Sequence, residues 1–252
     1  MPLIAQVSDT HFDNTAETAR RNAVVWDYLD SAALPIELVL LTGDVAADGR
    51  PEEYAEALAR VSGSRRVIAI PGNHDLRSSF ATGLPGISAA DPSGPLDQVV
   101  TVDGVRVIAL DSTIPGSPRN DAGHLSEQSL TFLDAALTSR TGESALIALH
   151  HPPVTLGHPV MDPIRLDNAE ALAEVLSAHD RLAGIVCGHA HAAAATTFAT
   201  VPLVIAPGVT STFTLGFTEA AEGMQNRDLP PGLALHRITD GVLLTEFRHL
   251  IP

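Results

Sequence analysis

The 252-residue chain has a single cysteine, Cys187, so it forms no internal disulfide and builds no thiolate metal cluster. A lone thiol suits a reducing cytoplasm. Basic side chains are scarce: 15 against 30 acidic ones, a formal net charge of −15. A surface of that sign repels polyphosphate backbones and excludes broad electrostatic binding to a nucleic-acid polymer. Long apolar runs are missing as well. Stretches such as 67–70 and 201–206 are strand-sized, too short for a bilayer, and the N-terminus lacks the basic and extended apolar regions of a secretory signal. The expectation is a cytoplasmic protein with no membrane partner. Hydrophobicity itself is not lacking. Apolar residues make up 45% and charged ones 18%, which excludes disorder and supplies a sizeable core.

Short runs rich in Val, Ile and Leu alternate with helical patterns. Residues 3–7, 36–41, 67–70, 105–110, 145–149 and 184–187 read as buried strands, and 17–29, 51–61, 126–137 and 166–179 as helices. Pro51, followed by Glu52 and Glu53, suits a helix start, and Ser126 to Ser129 is a partial capping box. Two hairpins are expected, 98–102 with 105–110 and 234–238 with 242–247, turning at Asp103-Gly104 and Asp240-Gly241. Residues 84–95 and 214–231 read as loops. Alternating strands and helices beside hairpins predict two packed sheets with helices outside. No repeat or linker divides the chain, so one domain over 1–252 is expected.

The chemistry sits where strands end. Ser8-Asp9-Thr10-His11, Thr42-Gly43-Asp44, Pro71-Gly72-Asn73-His74-Asp75, His150-His151-Pro152-Pro153 and Gly188-His189-Ala190-His191 follow five of the six runs. In an open α/β sheet, ligands bind outside the carboxyl ends of the strands, so these ends converge. Each piece alone is ordinary turn chemistry. Together, in a chain with 11 histidines, they form a metal-binding set. Imidazole and carboxylate without thiolate suit Zn, Mn, Fe, Co or Ni. Asp9 and His11 are two apart, as are His189 and His191, which puts each pair on one side of an extended strand end. Seven ligands exceed one tetrahedral ion. They suit two ions about 3.5–4 Å apart with a shared carboxylate, a clamp for phosphoryl transfer.

In this order the motifs resemble the calcineurin-like metallophosphoesterase superfamily, and within it the bacterial class III cyclic-nucleotide phosphodiesterases and related glycerophosphodiesterases. Further matches are Gly43-Asp44-Val45 followed by Pro51-Glu52-Glu53-Tyr54, Asn73-His74-Asp75 followed by Arg77, and Leu110-Asp111-Ser112 before Pro115-Gly116. The likeness covers roughly residues 3–207. It implies an α/β fold, a four-layer αββα sandwich of two mixed sheets flanked by helices. It also implies two divalent or trivalent ions (Fe, Mn or Zn), one on Asp9, His11 and His191, the other on Asn73, His150 and His189, with Asp44 bridging. His151 would then lie behind the ligands or face solvent.

The resemblance further implies His74 and Asp44 as catalytic residues, with His74 on the phosphate. Asp75 orients His74 or caps the next helix. Two divalent ions against Asp9, Asp44 and a bridging hydroxide leave the site about +1, so an anionic ester binds despite the acidic surface. The implied activity is hydrolysis of small phosphodiesters through a metal-bridging hydroxide, cyclic nucleotides (3′,5′- or 2′,3′-cAMP) first. Glycerophosphodiesters or broad-specificity phosphatase activity come next, and a non-catalytic scaffold is the reading of another class. A homodimer is the implied assembly. Loops 152–167 and 209–231 are expected to close the pocket, Phe213 and Phe217 to pack or to stack a base, and His124 and His158 to sit at the surface or line the mouth.

Overall fold

The computed structural model describes residues 1–31, 34–61, 63, 65–115, 121–215 and 226–251. Strands β1 (Leu3–Val7), β2 (Ile36–Thr42) and β3 (Val67–Ile70) pair in parallel and are joined by helices α1 (Ala16–Ser31) and α2 (Pro51–Val61). They are apolar at nearly every position, as parallel strands covered on both faces must be. The short helix α3 (Arg77–Gly83) follows β3, where no periodic signal marks it. The chain then enters a second sheet through the hairpin β4 (Gln98–Val102) and β5 (Val105–Leu110). Helix α4 (Glu127–Thr138), β6 (Ser144–Leu149), α5 (Ala169–Ser177) and β7 (Leu182–Cys187) follow, then the hairpin β8 (Ala194–Phe198) and β9 (Val201–Ile205). Strands β10 (Gly232–Thr239) and β11 (Val242–His249) return to the first sheet beside β1.

The strand orders are β11-β10-β1-β2-β3 and β4-β5-β6-β7-β9-β8, so both sheets are mixed, with β1-β2-β3 parallel in the first and β5-β6-β7-β9 parallel in the second. Alternate residues of β1 face opposite ways. Leu3, Ala5 and Val7 pack with Trp26, Leu29 and Tyr54 of the outer helices. Ile4 joins Leu38, Leu40, Val107, Ala109, Leu146 and Ala148 between the sheets. Leu133, Leu137, Leu172 and Leu176 cover the far face of the second sheet. The layers are therefore helix, sheet, sheet, helix, as the motifs imply.

Local signals hold where the turn chemistry is explicit. Asp103 and Gly104 have φ of 38° and 79°, and Asp240 and Gly241 have 51° and 81°, the left-handed pair of a type I′ turn. Ser126 caps α4, its hydroxyl accepting from the Ser129 N–H at 3.1 Å. Helix α5 starts at Ala169, three residues after the expected 166, because the preceding backbone is engaged elsewhere. Leu166 N–H donates to the Pro152 carbonyl and Asp167 N–H to that of Gly123, while the Asn168 amide brackets Leu125. Phe217 lies outside the described residues.

Candidate metal centre

Five loops meet at one edge of the two sheets. In the first sheet, the loop after β1 carries Asp9 and His11, that after β2 Asp44, and that after β3 Asn73 and His74. In the second, the loop after β6 carries His150 and His151 and that after β7 His189 and His191. Five of the seven expected donors are left-handed: Asp9 (φ 55°), His11 (38°), Asp44 (50°), His189 (67°) and His191 (48°). For a non-glycine residue this conformation costs about 1–3 kcal/mol and persists where the surroundings impose it, typically at functional sites. Gly72 permits the close approach of the loops. A Cβ there would overlap Asp44 Oδ1 and crowd His150 Nε2.

The spacing of the donor atoms is that of ligands. His11 Nε2 lies 3.5 Å from Asp44 Oδ2 and 3.3 Å from His191 Nε2, which is itself 3.3 Å from Asp9 Oδ1. His150 Nε2 lies 3.4 Å from Asp44 Oδ1 and 3.2 Å from Asn73 Oδ1. These separations are long for charge-assisted hydrogen bonds. They match the corner-to-corner distance of about 3.4 Å between donors held about 2.1 Å from a tetrahedral ion. Asp44 turns one oxygen to each side. The buried atoms Asp9 Oδ2 and His189 Nε2 have no hydrogen-bond partner among the described residues, which a bound cation would supply.

The rings are also held from behind. His150 Nδ1–H donates to the Thr42 carbonyl at 2.7 Å, and His191 Nδ1 lies 3.1 Å from the Ser211 carbonyl and 2.9 Å from its hydroxyl. An anchored Nδ1–H leaves Nε2 a lone pair for metal. Two donor groups result, Asp9/His11/Asp44/His191 and His150/His151/His189, with the atoms of each within 4.8 Å of one another. The residues present fit a dimetal-type site.

Electrostatics agree. Burial keeps His11 neutral, pushing its pKa down to about 3 against the pull of Asp44. Burial also holds His189 and His151 far below the ordinary histidine value. It opposes charge on His150 too, but Asp44 and Asp9 prevail and raise that ring to about 9. Burial raises Asp9. It works against Asp44 as well, yet His150, His74 and His11 hold that carboxyl well below its usual range. Neutral His11 and His189 beside a charged Asp44 are in the states that bind metal, whereas His150, held charged by the two carboxylates, would release its proton on binding.

His74 stands apart from the donors. Its backbone N–H donates to Asp44 Oδ1 at 2.9 Å and its Nδ1–H to the Ala47 carbonyl at 2.7 Å. Burial opposes its charge, but Asp44 and that carbonyl raise its pKa above the ordinary value. The ring lines a pocket of about 590 Å³ with Leu76, Val160, Ile164 and Phe213, so both expected loops contribute to the wall. Asp48 and Asp121 also line it, and no sequence signal marked either.

Several expectations need correction. Asp75 neither caps α3 nor touches His74. Its carboxylate accepts from the N–H groups of Val45, Ala46 and Gly72 (3.0, 2.9 and 2.9 Å) and from Tyr54 OH (3.0 Å), locking the Asp44 loop to the Asn73 loop. Of the two places expected for His151, the structure gives the one away from solvent. The residue is fully buried, with Nδ1 2.7 Å from Ser112 Oγ and its ring 4.7 Å from that of His189. His158 is not at the surface. It is buried, and its Nδ1 accepts from Val160 and Met161 N–H at 3.3 Å. His124 is at the surface as expected, 2.6 Å from Asp167. Phe213 packs, stacked on His191 with centroids 4.5 Å apart.

A model of calcineurin-like phosphoesterases matches residues 2–193. The chain belongs to the calcineurin-like phosphoesterase family. A Rhodococcus erythropolis protein named as a probable cyclic nucleotide phosphodiesterase is 32% identical over 96% of this chain and 81% of its own. The glycerophosphodiester phosphodiesterase of Enterobacter lignolyticus is 31% identical over 81% and 77%. The cAMP/cGMP dual specificity phosphodiesterase of Mycobacterium tuberculosis is 28% identical over 92% and 74%. A dimetal phosphatase from Danio rerio shares the fold, with a TM-score of 0.70 at 16% identity over 99% of this chain and 96% of that one. As a calcineurin-like phosphoesterase the protein is a hydrolase. No helix among the described residues is long and apolar enough to cross a membrane.

Proposed function

We propose that residues 1–252 act as one metallophosphoesterase domain that hydrolyses small phosphodiesters at two transition-metal ions, iron, manganese or zinc. The observation that carries this reading is the donor cluster at coordination spacing, with Asp9 Oδ2 and His189 Nε2 unpartnered. Asp9, His11 and His191 would hold one ion and Asn73, His150 and His189 the other, with Asp44 giving an oxygen to each. Bound ions would supply Lewis acidity at the phosphoryl oxygens and a water ionised near neutral pH.

The chain's own residues do the rest. With Nδ1–H fixed on Ala47, His74 presents Nε2 to the pocket, where its proton stabilises phosphoryl charge or passes to the leaving alkoxide. Asp44 orients His74 through the backbone N–H. Asn73 in place of an aspartate spares the site one negative charge, which favours an anionic ester in a chain of net charge −15. The apolar wall of Leu76, Val160, Ile164 and Phe213 suits a nucleobase, and cyclic nucleotides are the first substrate class, supported by the Rhodococcus and Mycobacterium relatives. Glycerophosphodiesters are the second, favoured by the Enterobacter relative. The buried Cys187 suits a reducing cytoplasm.

The test is hydrolysis of bis(4-nitrophenyl) phosphate by metal-stripped protein before and after Mn(II), then a panel of 3′,5′-cAMP, 2′,3′-cAMP and glycerophosphodiesters. Turnover should require metal and be most efficient on cyclic nucleotides. Two bound ions without turnover would leave a scaffold. Monoesters cleaved far faster than diesters would make the protein a phosphatase.

A further inference from the structure

Between the sheets, one amide stands among apolar side chains. Gln6 of β1 is fully buried and shares the inward face of the strand with Ile4. A buried amide is tolerated only when paired. Gln6 Nε2 donates to Thr42 Oγ1 and to the Cys187 carbonyl, both at 2.9 Å, and Gln6 Oε1 accepts from His236 Nε2 at 2.9 Å. The Cys187 carbonyl can only accept, so the amide cannot be turned over. His236 is itself fully buried, and its Nδ1 faces the Thr245 hydroxyl at 2.9 Å.

The two acceptors of Gln6 belong to different sheets. Thr42 ends β2, two residues before Asp44, and its carbonyl holds His150 Nδ1–H at 2.7 Å. Cys187 ends β7, two residues before His189 and four before His191. One side chain therefore spans the seam at the floor of the donor cluster. It ties the carboxylate loop of one sheet to the imidazole loop of the other.

We propose that Gln6 is a positioning residue for metal binding: by bonding Thr42 and Cys187 it sets the spacing of Asp44 and His150 against His189 and His191. This rests on the two-ion reading above. It assigns Gln6 no contact with substrate and no proton to move.

The test is calorimetric titration of metal-stripped protein with Mn(II), comparing the parent with Gln6→Met, Thr42→Val and the double variant. The parent should bind two ions. Gln6→Met, close in volume, should weaken at least one of them about tenfold or more, the usual reach of a group that holds a ligand in place. Thr42→Val removes the hydroxyl but keeps the carbonyl on His150, and should weaken binding in the same direction. The double variant should be no worse than Gln6→Met, because both changes cut one linkage. Val25→Ala, in the outer core, serves as a readout of lost stability alone and should lower the melting temperature without moving Mn(II) affinity. Parental affinity in folded Gln6→Met overturns the proposal, as does equal weakening in Val25→Ala at matched melting temperature. Should Gln6→Met not fold, parental affinity in Thr42→Val overturns it instead. A parent that fails to bind two ions sinks the two-ion reading itself, a result distinct from any of these.

Discussion

The two sheets bring unlike chemistry to one seam. The first contributes both carboxylates and the amide, Asp9, Asp44 and Asn73, together with His11 and His74. The second contributes imidazoles only, His150, His151, His189 and His191. Their support differs in kind as well. The first sheet's loops are locked by a buried carboxylate, Asp75, on three backbone N–H groups and a tyrosine. The second sheet's rings are packed on one another and on Ser112 and Phe213. The carboxylates and the amide thus come from one side, and four imidazoles come from the other. The largest expected effect breaks this division at its hinge. Asp44→Ala should lose both ions and lower kcat/KM by about 10³-fold or more, whereas His189→Ala should lose one. Metal analysis of the two purified variants checks it. Retention of both ions by Asp44→Ala would refute the shared-carboxylate role.

His74 belongs to the first sheet by position but to neither donor group by geometry. His74→Ala should therefore keep two ions and lose about 10²–10⁴-fold in kcat, the usual range for a proton-transferring side chain. Full activity would remove it from the chemistry. Next in size is the brace between α3 of the first sheet and β5 of the second. Arg77 Nε donates to the fully buried Asp111 at 2.7 Å, and Asp111 also accepts from the N–H groups of Leu96 and Thr113 at 2.9 Å. Asp111→Ala strands the guanidinium and should lower stability by about 3 kcal/mol, read from urea unfolding, with the donor loops still able to bind metal. A change below about 0.5 kcal/mol would mean the pair contributes nothing.

Which side of this comparison was legible from sequence follows from physics. All seven expected donors fall within a few residues of the ends of apolar runs, in segments that carry Gly, Ser, Asn or Pro, so spacing and residue type point to them. The left-handed backbones of Asp9, His11, Asp44, His189 and His191 were not legible, because aspartate and histidine enter that conformation more often than most residues but do so only where the surrounding packing imposes it. Asp75 reads locally as a helix cap, yet its partners lie about thirty residues upstream at Val45 and Ala46, and only the packing of two loops brings them together. His158 turns inward because its own loop folds over it, with Val160 and Met161 N–H on its ring, a contact no periodicity encodes. Gln6 looks like one polar residue in a strand, and its function as a brace needs both sheets present.

The smallest expected effect sharpens the contrast in acid. In the first sheet's interior, burial keeps His236 neutral and pushes its pKa down to about 3. In the unfolded chain the same ring titrates near about 6.5. Between those values the unfolded state binds the extra proton, so stability falls as pH drops through the window and is fully present only above it. This group alone contributes a slope of about 1.4 kcal/mol per pH unit there. His236→Gln keeps an amide donor for Gln6 and cannot titrate. Its urea midpoint should decline less steeply than the parent's between about pH 6 and pH 4.5, since both share every other acid-sensitive group. Parallel slopes would show that His236 takes up its proton as readily in the fold as outside it.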